Sequence, residues 1–231
     1  MSQSPERTIR SLLRDASLFE GVSEHALAQL AAAGRLRRLD RGQLLFNRGD
    51  AADAFFVVSS GSINLGLDSA DGRELVINEM RPGDGFGELG LITEQPRSTS
   101  AVAGQDTVVL VIPRREFLAV VVDEPALARN LLRITADRLG TSSEREGALA
   151  FLDAPSRLAR VLIQLDREAK ADGYITMSQE ELGRRVGLAR QTVAQLLGTW
   201  RRAGWILTGR GKIVVLNHAA LRRQAEGEEE R

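Results

Sequence analysis

Residues 83–98 read GDGFGELGLITEQPRS, and this stretch decides how the rest of the chain is understood. Its glycines at 83, 85, 87 and 90 let backbone amides approach an anion, because no Cβ stands in the way. Arg97 is a planar, permanently charged donor suited to a phosphate, and Glu88 is a carboxylate able to accept from sugar hydroxyls. Glycine-rich turns are also simply turns, so the flanking sequence has to carry the argument.

On both sides of the stretch the pattern is β. Short β-branched or aromatic runs, Gln43–Phe46, Ala54–Val58, Ser62–Leu67, Glu74–Asn78, Ser98–Ala103 and Val108–Ile112, alternate with Gly34, Gly42, Gly49, Gly61, Gly72, Gly83 and Gly104. Turn signals recurring roughly every 8 to 12 residues predict an antiparallel sandwich or barrel. Asp71-Gly72 has the composition of a tight hairpin turn.

Helical periodicity frames this region. Ile9 to about Leu30 reads as helix, with a second start near Ser23 that lacks the acid of a full capping box. After Pro113 the period returns to about 3.6, and Asp123–Leu152 reads as one long helix. Its heptad positions are Leu127, Leu131, Ile134, Arg138, Thr141, Arg145, Ala148 and Leu152, apolar at the ends and polar in the middle. A polar middle weakens a coiled coil, so either something polar lodges there or the helix faces solvent. Asp153-Ala154-Pro155 breaks the pattern and marks the boundary of a second domain, which opens with a helix over Arg157–Ala171.

In that domain Ser178-Gln179-Glu180-Glu181 is a capping box and predicts a short helix to Val186, with Gly187-Leu188 as the turn. The next helix, about Arg190–Arg202, stacks Val193, Leu196, Leu197 and Trp200 on one face. Arg190, Gln191, Ala194 and Gln195 are left opposite, near the N-terminus, where a recognition helix meets a major groove. Gly204 ends it, and Trp205–Leu207 with Ile213–Leu216 form two short strands around Thr208-Gly209-Arg210-Gly211. Helix, turn, helix and basic hairpin describe a winged helix-turn-helix.

Charge supports a nucleic-acid partner despite a formal net charge of zero over 231 residues. Residues 1–150 hold 17 Lys+Arg against 21 Asp+Glu, whereas residues 173–225 hold 9 against 2. An acidic tail at Glu226, Glu228, Glu229 and Glu230 hides this asymmetry in the total. The basic excess is the footprint of a DNA-binding module, with Arg184, Arg185, Arg201, Arg202, Arg210 and Lys212 placed to meet phosphates. The absence of cysteine excludes disulfides, thiolate zinc sites and Cys-ligated iron–sulfur clusters. His25 and His218 lie far apart and read as surface residues, so neither a catalytic group nor a metal site is expected. No apolar run reaches the ~18 residues of a membrane span, and residues 1–20 carry charges where a signal peptide is apolar, so a cytoplasmic protein without a membrane partner is expected.

The segment FGELGL, with PRS nine residues after its glutamate, resembles the phosphate-binding cassette of cyclic-nucleotide-binding domains. The layout from about Leu18 to Leu216, including EREGALAFLD and QEELGRRVGLARQTVAQLL, resembles the CRP/FNR family of bacterial transcription regulators. The resemblance implies an α+β fold with an N-terminal β-roll (a double-stranded antiparallel jelly roll), a long dimerisation helix and a C-terminal winged helix-turn-helix. The corresponding divisions are 1–122, 123–153 and 154–231. It further implies a homodimer on a pseudo-palindromic double-stranded DNA operator, RNA polymerase as a partner, and cAMP or a related cyclic nucleotide as effector with no covalent cofactor; the alternative is a regulator of the same family that answers to a different small effector or acts without a ligand.

On this resemblance Gly87 and Glu88 meet the cyclic phosphate and the ribose 2′-hydroxyl, Arg97 and Ser98 bind the phosphate, and Leu89 and Thr99 complete the cassette. Ser142 and Ser143 fall where the family's cAMP sensors contact adenine, and Arg138, one turn earlier, faces the ligand. Arg190, Gln191 and Gln195 read bases, while Ser178 and Thr192 join the basic residues as phosphate contacts.

Four positions depart from the family pattern. Thr99 replaces a common alanine, and Ala189 lacks the side-chain oxygen that caps the recognition helix, at a cost of ~1 kcal/mol. Gln191 and Gln195 stand where cAMP-type readers carry Glu and Arg. Glutamine pairs best with adenine, so an altered operator half-site is expected.

Overall fold

The computed structural model describes residues 5–68, 74–169 and 173–227. They fall into two compact units, one within residues 1–68 and 76–140 and the other within 69–75 and 141–231.

The first unit opens with α1 (Pro5–Asp15), a 3-10 turn (Ser17–Phe19) and α2 (Glu24–Ala33). Ser23 caps α2 by accepting from the Ala26 amide. Strands β1 (Arg35–Leu39), β2 (Leu44–Phe46), β3 (Ala54–Ser60), β4 (Ile63–Asp68), β5 (Glu74–Met80) and β6 (Gly85–Phe86) follow. A short helix α3 (Glu88–Ile92) precedes β7 (Ser100–Ala103) and β8 (Thr107–Pro113). The strands form two four-stranded sheets, ordered β1-β8-β3-β6 and β2-β7-β4-β5. Asp71-Gly72 lies outside the described residues.

Strand β3 explains why the roll sits where it does. Its AFFVVSS run is apolar on both faces because both faces are covered, unlike the half-solvated strand that alternation predicts. Ala54, Phe56 and Val58 join Val109, Val111, Ile63 and Phe86 inside the roll. Phe55, Val57, Leu110 and Ile112 pack the opposite way, against α1, α2, α4 (Arg114–Asp123) and the start of α5 (Pro125–Phe151). Phe55 stacks on Phe117 with centroids 4.0 Å apart.

The long helix differs from the expected Asp123–Leu152: α4 closes at Asp123, Glu124 takes an extended conformation, and α5 starts at Pro125. Proline fixes φ and lacks an amide donor, so it suits a first helical position and breaks a helix that would run through it. The heptad seam also faces inward at its start. Leu127 and Leu131 belong to the core of the first unit and partly buried Ile134 packs against it, whereas Leu132 and Leu139 are 73% and 68% exposed. Buried Asn130 donates from Nδ2 to the carbonyls of Leu18 and Glu20, each at 2.9 Å, tying α5 to the 3-10 turn.

The second unit contains α6 (Ala154–Glu168), β9 (Ile175–Thr176), α7 (Gln179–Val186), α8 (Arg190–Arg202), β10 (Ile206–Gly209), β11 (Lys212–Val215) and α9 (His218–Glu226). Asp153 caps α6. The Ser178–Glu181 capping box has both bonds, 3.2 Å from the Glu181 amide and 2.8 Å from the Ser178 amide. Gly187 takes φ +67 at the end of α7 and lets the chain turn into α8. Val193, Leu197 and Trp200 are buried with Leu158, Leu162, Leu182, Ile206 and Leu221. Neither β9, which widens the hairpin to a three-stranded sheet, nor α9 was indicated by the sequence pattern.

Candidate functional site

The chain enters the glycine-rich stretch along β6 and reaches Gly87, which has φ +89 and precedes α3. A side chain is excluded there twice over. The conformation disfavours L residues, and a Cβ would stand 2.7 Å from Arg97 Nη1 and 3.2 Å from Phe56 Cδ2.

Arg97 is 4% exposed. Its Nη1 donates to the Gly87 carbonyl at 3.0 Å and its Nη2 to the Ala54 carbonyl at 2.7 Å. Asp53 approaches Nη2 only to 3.5 Å, with a side chain that is 85% exposed. Burial pushes the guanidinium below its ordinary pKa, while Asp53, Asp50 and Glu88 pull it back up. Arginine titrates so high that it stays a cation through this. Among the described residues nothing bonds its buried Nε. An orphaned buried donor on a cation, beside a cradle only glycine can line, fits an anion such as a cyclic phosphate.

Glu88 is buried as well, and its Oε1 accepts from Arg138 Nη1 at 2.9 Å. Arg138 Nη2 donates to the Gly85 carbonyl at 2.6 Å and approaches Met80 Sδ at 3.5 Å. Arg138, from the polar middle of the α5 seam, is therefore turned toward the glycine-rich stretch. Gly87, Glu88, Arg97 and Arg138 are brought together. Leu89 and Ser98 are exposed and Thr99 is half-buried, all close by in sequence. Ser142, half-buried, and Ser143, exposed, follow on α5 four and five residues past Arg138 and belong to the second unit. Sequence reasoning missed the carbonyl acceptors at Ala54 and Gly85 and the aromatic contacts of Arg97, since backbone groups leave no trace in residue identity.

In the second unit α8 begins at Arg190 as expected, and Ala189 gives no side-chain cap. Arg190, Gln191 and Gln195 are exposed, with Thr192 half-buried. A cleft of about 410 Å³ opens between the start of α7, Arg190 and the β10–β11 hairpin, and Ser178, Arg190 and Lys212 help to line it. Lys212 Nζ sits 3.9 Å above the Tyr174 ring. Arg201, Arg202 and Arg210 are exposed, Arg185 is half-buried, and Arg184 Nη1 donates to Glu74 Oε2 at 3.0 Å. His25 is exposed on α2, and exposed His218 meets Asp166 at 2.8 Å. Among the described residues no group of three or more His, Cys, Asp or Glu could hold a metal, and no helix is long and apolar enough to cross a membrane.

A β-roll carrying a glycine–glutamate–arginine cassette, on one chain with a winged helix-turn-helix, defines a DNA-binding transcription regulator with a sensor domain. Comparison with known proteins agrees. Residues 36–124 match the cyclic nucleotide-binding domain, and residues 156–224 match the Crp-like helix-turn-helix domain. A CRP-like cAMP-activated global transcriptional regulator of Mycobacterium tuberculosis is 30% identical over 220 residues, covering 93% of this chain and 98% of the relative. The cyclic AMP receptor protein of Thermus thermophilus is 30% identical over 215 residues, covering 93% and 99%. The structure of the c-di-GMP responsive global regulator CLP of Xanthomonas campestris covers 84% of this chain and 99% of its own, with a TM-score of 0.76. Its 24% identity speaks for the fold alone. The chain belongs to the CRP/FNR family of transcription regulators, and it is not an enzyme.

Proposed function

We propose that this regulator is a cytoplasmic homodimer controlled by cAMP, and that the buried Arg97 beside Gly87 and Glu88 is the phosphate-binding centre. The observation that carries the reading is the uncommitted Nε of a 4% exposed arginine in a glycine-lined cradle. Ser98 and Thr99 flank the phosphate, Glu88 offers its Oε2 to the ribose hydroxyl, and Leu89, Arg138, Ser142 and Ser143 complete the contact set. Relatives at 30% identity are described as cAMP-activated, which favours that nucleotide.

The functional division is 1–122 for the effector domain, 123–153 for the dimerisation helix and 154–231 for DNA binding. Leu132 and Leu139, exposed and one heptad apart on α5, supply an apolar stripe for a second copy. Two α8 helices about one duplex turn apart then address a pseudo-palindrome. Arg190, Gln191 and Gln195 read bases, with adenine favoured opposite the glutamines. Ser178, Arg184, Arg185, Thr192, Arg201, Arg202, Arg210 and Lys212 contact phosphates. The exposed basic edge strand β1, with Arg35, Arg37 and Arg38, suits an acidic surface of RNA polymerase.

Ligand control requires that cAMP bind the DNA-competent arrangement more tightly than the other. Calorimetry with cAMP and cGMP, alongside Arg97→Ala, tests the effector, and DNA binding with and without cAMP at fixed salt tests the coupling. No heat with either nucleotide removes the effector assignment, and equal DNA affinity in both arms removes the allosteric one.

A further inference from the structure

Arg97 is a buried cation whose nearest described carboxylate, Asp53, stands 3.5 Å away and largely in solvent. Arg97 Cζ lies 4.5 Å from the centroid of the Phe46 ring and 5.1 Å from that of Phe56. These rings form a cluster with Phe86: Phe46 and Phe56 are 5.5 Å apart, Phe56 and Phe86 5.2 Å, and Phe46 and Phe86 6.3 Å. The three side chains come from β2, β3 and β6, so the cradle exists only once the roll has closed.

We propose that Phe46 and Phe56 are positioning residues of the anion site: their ring faces hold the Arg97 guanidinium in place and stabilise its charge without using its N–H donors. The inference rests on the reading of Arg97 as the phosphate-binding centre. Its physical basis is the negative face of an aromatic ring, which attracts a cation yet accepts no strong hydrogen bond from it. A carboxylate in the same place would neutralise the charge and compete with a phosphate for the donors. Here Asp53, at 3.5 Å and largely in solvent, is too distant for a strong bond. The two short bonds go to neutral carbonyls at Gly87 and Ala54, which fix the fork and leave its net charge intact. A guanidinium already oriented loses less freedom when an anion binds.

Phe56 is 4% exposed, so its replacement endangers the fold, and the test falls on half-buried Phe46. In the full chain, Phe46→Leu keeps apolar bulk and removes the ring face, and calorimetry with cAMP is expected to show about tenfold weaker binding. Phe46→Tyr keeps the face and is expected to recover the affinity to within about twofold of wild type. Unchanged affinity in Phe46→Leu overturns the proposal, as does an equal loss in Phe46→Tyr.

If wild-type protein binds neither cAMP nor cGMP, the nucleotide reading fails first, and a ligand-free double-mutant cycle decides the cradle. Thermal unfolding of wild type, Phe46→Leu, Arg97→Met and the double variant should then be non-additive, because ring and guanidinium stabilise each other. Additive shifts in melting temperature overturn the cradle.

Discussion

Replacing Gly87 by alanine perturbs backbone and arginine together, and the two contributions can be separated. The residue sits at φ +89, where an L side chain costs about 1–2 kcal/mol. The new Cβ would come within 2.7 Å of Arg97 Nη1, so the guanidinium must shift by several tenths of an ångström. That shift loosens the 3.0 Å bond to the Gly87 carbonyl, and a hydrogen bond from a charged donor contributes about 1.5–3 kcal/mol. Allowing for partial relaxation, Gly87→Ala should destabilise the roll by about 2–4 kcal/mol and, on the proposed effector assignment, weaken cAMP binding. Urea unfolding followed by far-UV circular dichroism measures the first quantity. In an Arg97→Ala background the collision with the guanidinium is gone, and the same substitution should cost the backbone strain of about 1–2 kcal/mol and the tight 3.2 Å approach to Phe56 that both backgrounds share. An equal cost in both backgrounds would refute the claim that Gly87 is there to make room for Arg97.

Other substitutions probe the supports of the site and of the fold. Arg138→Ala leaves the buried Glu88 carboxylate without its ion pair, and because Arg138 is partly exposed the cost should be about 1–3 kcal/mol, below that of a fully buried pair. Glu88→Gln should suppress most of that loss in urea unfolding, and a loss that persists undiminished contradicts the pairing. Asn130→Ala orphans two carbonyls and should cost about 2 kcal/mol. Asn130→Asp, which cannot donate when ionised, should be at least as damaging near pH 7, and a tolerated aspartate would show that the two bonds do not hold α5. The hydrogen bond from Arg14, aided by the charges of Arg14 and Arg10, holds Glu24 below its ordinary value of 4.5. A carboxyl depressed in the folded state stabilises above its unfolded pKa and loses that contribution as pH falls through the folded one. Glu24→Gln should therefore lose that contribution near neutral pH and flatten the stability profile below about pH 4.5; an acid limb identical to wild type argues against the cluster.

Much of this architecture was legible because its causes are local. The Ser178–Glu181 box, the turn at Gly187 and the spacing Val193, Leu197, Trp200 act within a few residues, so the reading helices emerge almost residue for residue from the sequence. The roll's strands were also placed, because their apolar runs and turn glycines repeat at short intervals. Strand β1 was missed: its RLRRL sequence has four exposed positions, and its strand character comes from pairing with β8 across seventy residues of chain. The short α3 and β6 were hidden for a similar reason, being segments held by their neighbours more than by propensity.

The residue types Gly87, Glu88 and Arg97 of the glycine-rich stretch and Arg138 of the long helix are legible in the sequence alone, as are the charge asymmetry and the absence of cysteine ligands. What only the tertiary structure decided is how those groups are satisfied. The α5 positions that look like a dimer seam are partly a core seam, because Leu127 and Leu131 are buried against the roll. Arg138 is paired with Glu88, and Arg97 is held by two carbonyl oxygens and by two ring faces from β2 and β3, strands remote from it in the chain. Residue identity specifies which charges a site contains, but the partners that keep a buried charge available are set by packing, and packing exists only when the sheets have closed.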